Sequence, residues 1–375
     1  MEENRLSYLD NLRFSLVALV ICHHANAAYG SIGGWSYVVH EPGGGVTEVL
    51  ATMFAGVTQA FFMSSFFLIS AYFTVAAFDN KGAWRFARRR LVRLGIPLLV
   101  YFFVLSLVLR YIVFRIQGRA ESGFLEFFSA RFPHNGNPGP LWFTLTLLIF
   151  EGVYMAYRMT ADRFGRRPRT YPLPRDRQIL LFIVGIGVFT FVLRQWFDLN
   201  VFVFHLRPAF FPLYVSMFIF GLIAYRSGWF TQLTAKQANR WFHISLAAIA
   251  IMPLVMGLNA MLGHDNYTFW HGGFNWQTYA YAAWEPFICV GINMKLIVLY
   301  RDRFNFSTAF TKRMAASSYT AYIFHAFFIV FATYLFTFFS LGRLPEILLM
   351  WPVAITACFT FADIVRRAPL LNKVL

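Results

Sequence analysis

Apolar residues run for about twenty positions at a time along this chain, and the polar ones gather in the gaps between. Ten such runs cover about 12–29, 48–77, 92–115, 141–158, 179–195, 208–226, 242–262, 278–300, 315–338 and 345–365. Each is near or above the ~17–20 residues that a helix needs to cross ~30 Å of hydrocarbon. The pattern predicts an all-α chain. The expected architecture is a polytopic membrane helical bundle of about ten transmembrane helices, forming a single domain over 1–375.

Composition supports this reading. Of 375 residues, 58% are hydrophobic and only 13% charged, against roughly 25% charged in a soluble domain. The longest polar stretch, ~20 residues, is far too short for a soluble domain. Lys and Arg concentrate in alternate connections, at 79–93, 158–178, 226–241, 301–313 and 366–375, whereas 30–47 and 263–277 have none. The positive-inside rule then places both termini in the cytoplasm. The net charge of +16 arises from these short loops. No basic domain exists to wrap a duplex, which argues against nucleic acid as a partner. The first run carries a histidine pair and no A-x-A-like site, so it reads as a retained signal anchor. Cys22, Cys289 and Cys358 all fall within predicted spans, with no metal-site spacing and no expected disulfide. The stretch "EPGGGV" lacks the Gly-Lys-Ser/Thr ending of a phosphate loop and is set aside.

Polar groups inside spans are costly and mark functional sites by default. In "LDNLRFSLVALVICHHANAAYG", residues 9–30, His24 lies ~18 Å from the inner boundary and Arg13 lies at it. Eleven residues separate the two, three helical turns plus ~20°, so they share a face ~16 Å apart. His23 points ~100° away from that stripe. Glu151, Glu285, Tyr322 and His325 also fall ~10–15 Å deep on other spans, and Gln59 lies near the middle of the second. One shared polar cavity is the economical expectation. Helix-packing glue is the alternative for the two glutamates, and topology signalling is the alternative for the arginines of 85–93.

Six ordered stretches carry a family resemblance: "YLDNLRFSLVALVICHH", "FFMSSFFLISAYF", "RRRLVRLGIPLL", "GPLWFTLTLLIFEGVY", "FPLYVSMFIFGLIAYRSGWF" and "SSYTAYIFH". Together they resemble the acyltransferase-3 family of integral membrane acyltransferases, in the group similar to glucan biosynthesis protein C. Arg13, ten residues and His24 match the family signature. Arg90, Arg93 and Pro97 match the opening of the third span. Ala71 stands where the family has glycine, which is expected to tighten helix packing there.

The resemblance implies an O-acyltransferase in the inner membrane of a bacterium. An acyl group, acetyl or succinyl, would pass from cytoplasmic acyl-coenzyme A to a hydroxyl of an extracytoplasmic or lipid-linked glycan. No permanently bound cofactor is implied. His24 is the expected general base, since histidine's ordinary pKa lies near ~6.5. Arg90 and Arg93 would grip the phosphates of coenzyme A, because guanidinium pairs bidentately with phosphate. Arg13 would hold the donor at the inner boundary. Glu151 or His325 would orient His24 or bind the acceptor, and Tyr322 is a candidate oxyanion donor. Midplane polar groups on several helices also describe a proton-coupled transporter. Within the family, an acceptor that is a lipid or a small molecule stays open.

Overall fold

Every predicted apolar run is helical in the computed structural model, which describes residues 6–31, 33–40, 45–119, 122–166, 168–263, 267–339 and 341–368. The chain termini, most of "EPGGGV" and part of the loop 263–277 lie outside the described residues. In chain order the helices are α1 (Ser7–Ala28), α2 (Gly45–Arg90), α3 (Ile96–Val100), α4 (Ser106–Ile116), α5 (Phe124–Ser129), α6 (Trp142–Arg163), α7 (Asp176–Leu193), α8 (Phe211–Ser227), α9 (Trp229–Gln232), α10 (Ala235–Met261), α11 (Trp276–Arg303), α12 (Ala309–Phe336) and α13 (Arg343–Val365). Among the described residues no strand forms, and the only β pairing is one isolated bridge between Val203 and Leu206. The protein is a polytopic helical membrane bundle.

Eight helical stretches among the described residues are long and apolar enough to cross a membrane. The count differs from ten for two reasons. First, the runs 48–77 and 92–115 are counted as one stretch, Gly45–Ile116, 72 residues long, although a kink at Gly82 divides it into two helices, as the two runs predict. The basic segment between them reads as a loop from its charge, yet Lys, Ala and Arg are good helix formers. The chain leaves helical geometry there only at Gly82, with φ 71° and ψ 166°, which a residue without Cβ adopts freely. Second, α1 falls short in hydropathy because Asn11, Arg13, His23, His24 and Asn26 dilute it. Those polar residues are the reason for interest in it.

The chain divides into two compact units that interleave along the sequence. Unit 1 takes Met1–Leu12, Gln59–Phe86 and Ile149–Phe306. At its centre α11 packs against α10 and α7. Small residues permit the close approach, as in many membrane bundles. A Cβ on Gly291 of α11 would collide with Ser245 and the Trp241 backbone of α10, and one on Gly221 of α8 would collide with Leu68 and Ala71 of α2. Ala71 is itself fully buried, so its methyl fills the helix contact predicted there. Asp79 accepts from Arg158 at 3.0 Å and Arg226 at 2.8 Å, tying α2, α6 and α8 together at their basic ends.

Unit 2 takes Arg13–Thr58, Ala87–Leu148 and Ser307–Leu375. Here α12 packs against α13, α4 and the turn 139–141. α12 starts on a Thr308 cap, whose Oγ1 accepts from the Thr311 amide at 3.1 Å, one of the donors a helix start leaves unmade. Two π-helical turns, Leu91–Gly95 and Tyr101–Leu105, interrupt the α geometry leading into α4. Such turns recur at functional sites. Arg93 sits in the first. In the second, Tyr101 is 1% exposed and lies so close to Gly139 that a Cβ there would strike its ring. Ion pairs hold both ends of the unit: Arg343 with Glu48 at 2.7 Å, and Arg313 and Arg367 with Asp363, each at 2.6 Å.

Candidate active site

Unit 2 brings two of the predicted intramembrane residues into direct contact. His24 on α1 and His325 on α12 are joined through His24 Nδ1 and His325 Nε2 at 2.9 Å, their ring planes 24° apart and their centroids 4.9 Å apart. His325 Nδ1 lies 2.6 Å from the backbone carbonyl of Tyr322. A carbonyl can only accept, so His325 Nδ1 carries the proton. Charging two adjacent imidazoles in apolar surroundings is costly, so His325 is neutral and its Nε2 presents a lone pair. His24 must then donate from Nδ1. The remaining nitrogen, His24 Nε2, is left with its lone pair available. The backbone carbonyl of Val20, one turn earlier, also lies within hydrogen-bonding range of the His24 ring and, like His325 Nε2, can only accept.

Adjacent histidines have different surroundings. His23 is 7% exposed and turns toward α2, where its Nδ1 meets Thr58 Oγ1 at 2.7 Å. That hydroxyl donates to the carbonyls of Phe54 at 2.7 Å and Ala55 at 3.1 Å, so it accepts from His23. The ~100° between neighbouring helical side chains thus separates a histidine anchored to α2 from one poised beside α12.

Trp35 completes the group. Its indole stacks on His24 at 4.6 Å with an interplanar angle of 27° and lies 6.0 Å from the His325 ring. The Nε1–H of Trp35 is buried and has no hydrogen-bond partner among the described residues. Sequence reasoning missed this residue, which lies in a connection treated only as an outer loop. The available signal was an aromatic within a dozen residues of the histidine pair. Tyr322 contributes its backbone carbonyl to His325. Its hydroxyl proton goes to the carbonyl of Pro140, so the phenol is engaged with the backbone.

The other predicted residues divide between the units. Arg13, Arg90 and Arg93 belong to unit 2 with the histidines. Arg93 is exposed and within electrostatic range of Tyr319, one turn before Tyr322 on α12. Glu151 belongs to unit 1, where Thr74 Oγ1 donates to it at 2.7 Å. Glu285, also in unit 1, pairs with Arg194 at 2.6 Å, the two side chains 4% and 0% exposed. Arg194 also faces the Tyr281 ring, 5.0 Å from its centroid. Gln59 donates to the Tyr214 hydroxyl at 3.1 Å. Among the described residues, no three His, Cys, Asp or Glu side chains are grouped to hold a metal.

Comparison with protein families matches an acyltransferase domain to residues 6–364. The chain belongs to the acyltransferase-3 family. No curated protein and no solved structure matches it. The family match covers every predicted site residue, from Arg13 through His325. Together with its apolar helices, it makes this protein a multi-pass membrane acyltransferase.

Proposed function

We propose that this acyltransferase moves an acetyl or succinyl group from cytoplasmic acyl-coenzyme A to a hydroxyl of an extracytoplasmic or lipid-linked glycan, with His24 as general base. The observation that carries the reading is the directed chain from His24 through His325 to the Tyr322 carbonyl. It fixes the proton on His24 Nδ1 and leaves Nε2 bare, the state in which an imidazole can take a proton from a hydroxyl. His325 is a positioning residue: it accepts from His24, holds its tautomer and strengthens as an acceptor when His24 becomes an imidazolium, as the buried partner of a catalytic histidine does.

His24 Nε2 removes the acceptor's hydroxyl proton as the oxygen attacks the thioester carbon. The carbonyl π electrons move to oxygen, and a C–O bond forms. Collapse re-forms the carbonyl and breaks the C–S bond. The proton on His24 then passes to the departing thiolate. Trp35 Nε1–H, unpaired and stacked against His24, is a donor suited to the transient oxyanion. Arg90 and Arg93 grip the coenzyme's phosphates, and Arg13 holds the donor at the inner boundary, three turns of α1 below His24. This orientation follows the Lys/Arg asymmetry, with both termini cytoplasmic and the membrane being a bacterial inner membrane.

Purified protein supplied with acetyl- or succinyl-coenzyme A tests the reading. Free coenzyme A should appear, and mass spectrometry of glycans from cells with and without the intact gene should show the added acyl mass. A transporter would release no coenzyme A. Acylated lipid with unmodified glycan would move the acceptor to the lipid class.

A further inference from the structure

Unit 2 has a second feature that the proton route and the donor grip leave unused. A cavity of about 360 Å³ opens between the start of α12, the last turns of α13 and Phe14 of α1. Its floor is apolar. Phe14 meets Phe359 edge-on at 5.1 Å and Phe310 at 6.4 Å, and Met314 and Ile355 continue the lining. Its rim is charged. Arg313 and Arg367 each donate to Asp363 at 2.6 Å. The two guanidinium side chains are 56% and 67% exposed, the carboxylate 9%. Two cations share one anion, so the rim is net positive. Each fork carries five N–H donors, of which Asp363 occupies few.

The dimensions restrict the occupant. Along α13 the lining runs from Asp363 to Ile355, eight residues or ~12 Å of helix, close to one leaflet, about half of the ~30 Å hydrocarbon core. A nucleotide spreads polar atoms along its whole length and would bury them against phenylalanines. A molecule with charge at one end and hydrocarbon for the rest satisfies both the rim and the floor. Basic pockets between membrane helices on the cytoplasmic side are of this type, and the Lys/Arg pattern puts this end there.

We propose that this cleft binds an anionic phospholipid, its phosphate across Arg313 and Arg367 and one acyl chain along Phe14, Phe359 and Ile355. Asp363 sets the two forks side by side. The site is independent of the transfer reaction proposed above.

Native mass spectrometry of the full chain, equilibrated with equal phosphatidylglycerol and phosphatidylcholine, tests it. Each arginine near an anionic headgroup contributes about fivefold, so phosphatidylglycerol should be retained at least about fivefold over phosphatidylcholine. Neutralising the rim as a set, Arg313→Gln, Asp363→Asn and Arg367→Gln, should abolish that preference. Thr360→Trp, which fills the cleft and keeps every rim charge, should remove the bound lipid; it also provides the answer if the triple variant fails to fold. Glycerol 3-phosphate should not displace the lipid, since it lacks the chain. Equal retention of the two lipids, unchanged retention in Thr360→Trp, or displacement of phosphatidylglycerol by coenzyme A would overturn the proposal. The last outcome would assign the cleft to the donor.

Discussion

Replacing His325 by alanine isolates the positioning role from the chemistry. In the wild type, His24 Nδ1 has its acceptor 2.9 Å away at His325 Nε2. His325→Ala removes that acceptor and leaves only the Val20 carbonyl facing the His24 N–H, a loss of roughly 0.5–1.5 kcal/mol. The ring also becomes free to carry its proton on Nε2, the tautomer that cannot act as base. Only the fraction with Nε2 bare and correctly aimed still works. The turnover should therefore fall ~10–100-fold, about 1.4–2.8 kcal/mol, less than the ~10²–10⁴-fold that the general base itself supplies. The Michaelis constant for acyl-coenzyme A should change little, because the interaction acts on the transition state and not on donor binding. His325→Gln, whose amide oxygen can accept, should recover part of the loss. The assay is coenzyme A release by purified, monodisperse protein at saturating acceptor, with thermal stability recorded for each variant. A well-folded His325→Ala with wild-type turnover would refute the argument. A greater loss than in His24→Ala would show that His325 does chemistry of its own.

Three further outcomes follow from the same geometry. Arg90→Ala with Arg93→Ala should raise the Michaelis constant for acyl-coenzyme A more than it lowers turnover, since phosphate grip is common to ground and transition states; unchanged donor kinetics would reduce these arginines to topology signals. Trp35→Phe keeps an aromatic ring on His24 but loses the indole N–H, and should lower turnover ~10²–10³-fold, the usual effect of one oxyanion donor; a Phe variant as active as wild type would remove Trp35 from the chemistry. Glu285→Ala strands the fully buried Arg194 charge and should cost ~3–5 kcal/mol of stability, read as a lowered melting temperature in detergent, whereas an unchanged melting temperature would contradict the buried pairing.

The sequence made the helices and part of the site legible, for one physical reason: a long apolar run states its own conformation and its depth in the membrane. His24, His325 and Tyr322 were recognisable as polar groups at similar depth, and the helical period separated His24 from His23. Depth carries no information about lateral partners. Glu285 therefore read as a lone acid, because Arg194, 91 positions away, sits at the end of α7 and resembles an interfacial charge. Glu151 had the right depth but is partnered by Thr74 in unit 1. Trp35 was hidden because a loop residue has no periodicity to reveal where it folds back. The break expected in the basic segment 79–93 falls at Gly82, and it is a kink and not a loop because the flanking Lys, Ala and Arg are good helix formers.

Coenzyme A release by His24→Ala and His23→Ala, measured side by side, decides whether His24 Nε2 is the base. The two residues share depth, sequence neighbourhood and chemistry, and differ in what they face: His325 for one, Thr58 for the other. With both variants folded, His24→Ala should lose at least ~10²-fold in turnover and His23→Ala should keep most of it. Near-normal release by His24→Ala, or loss confined to His23→Ala, would contradict the account.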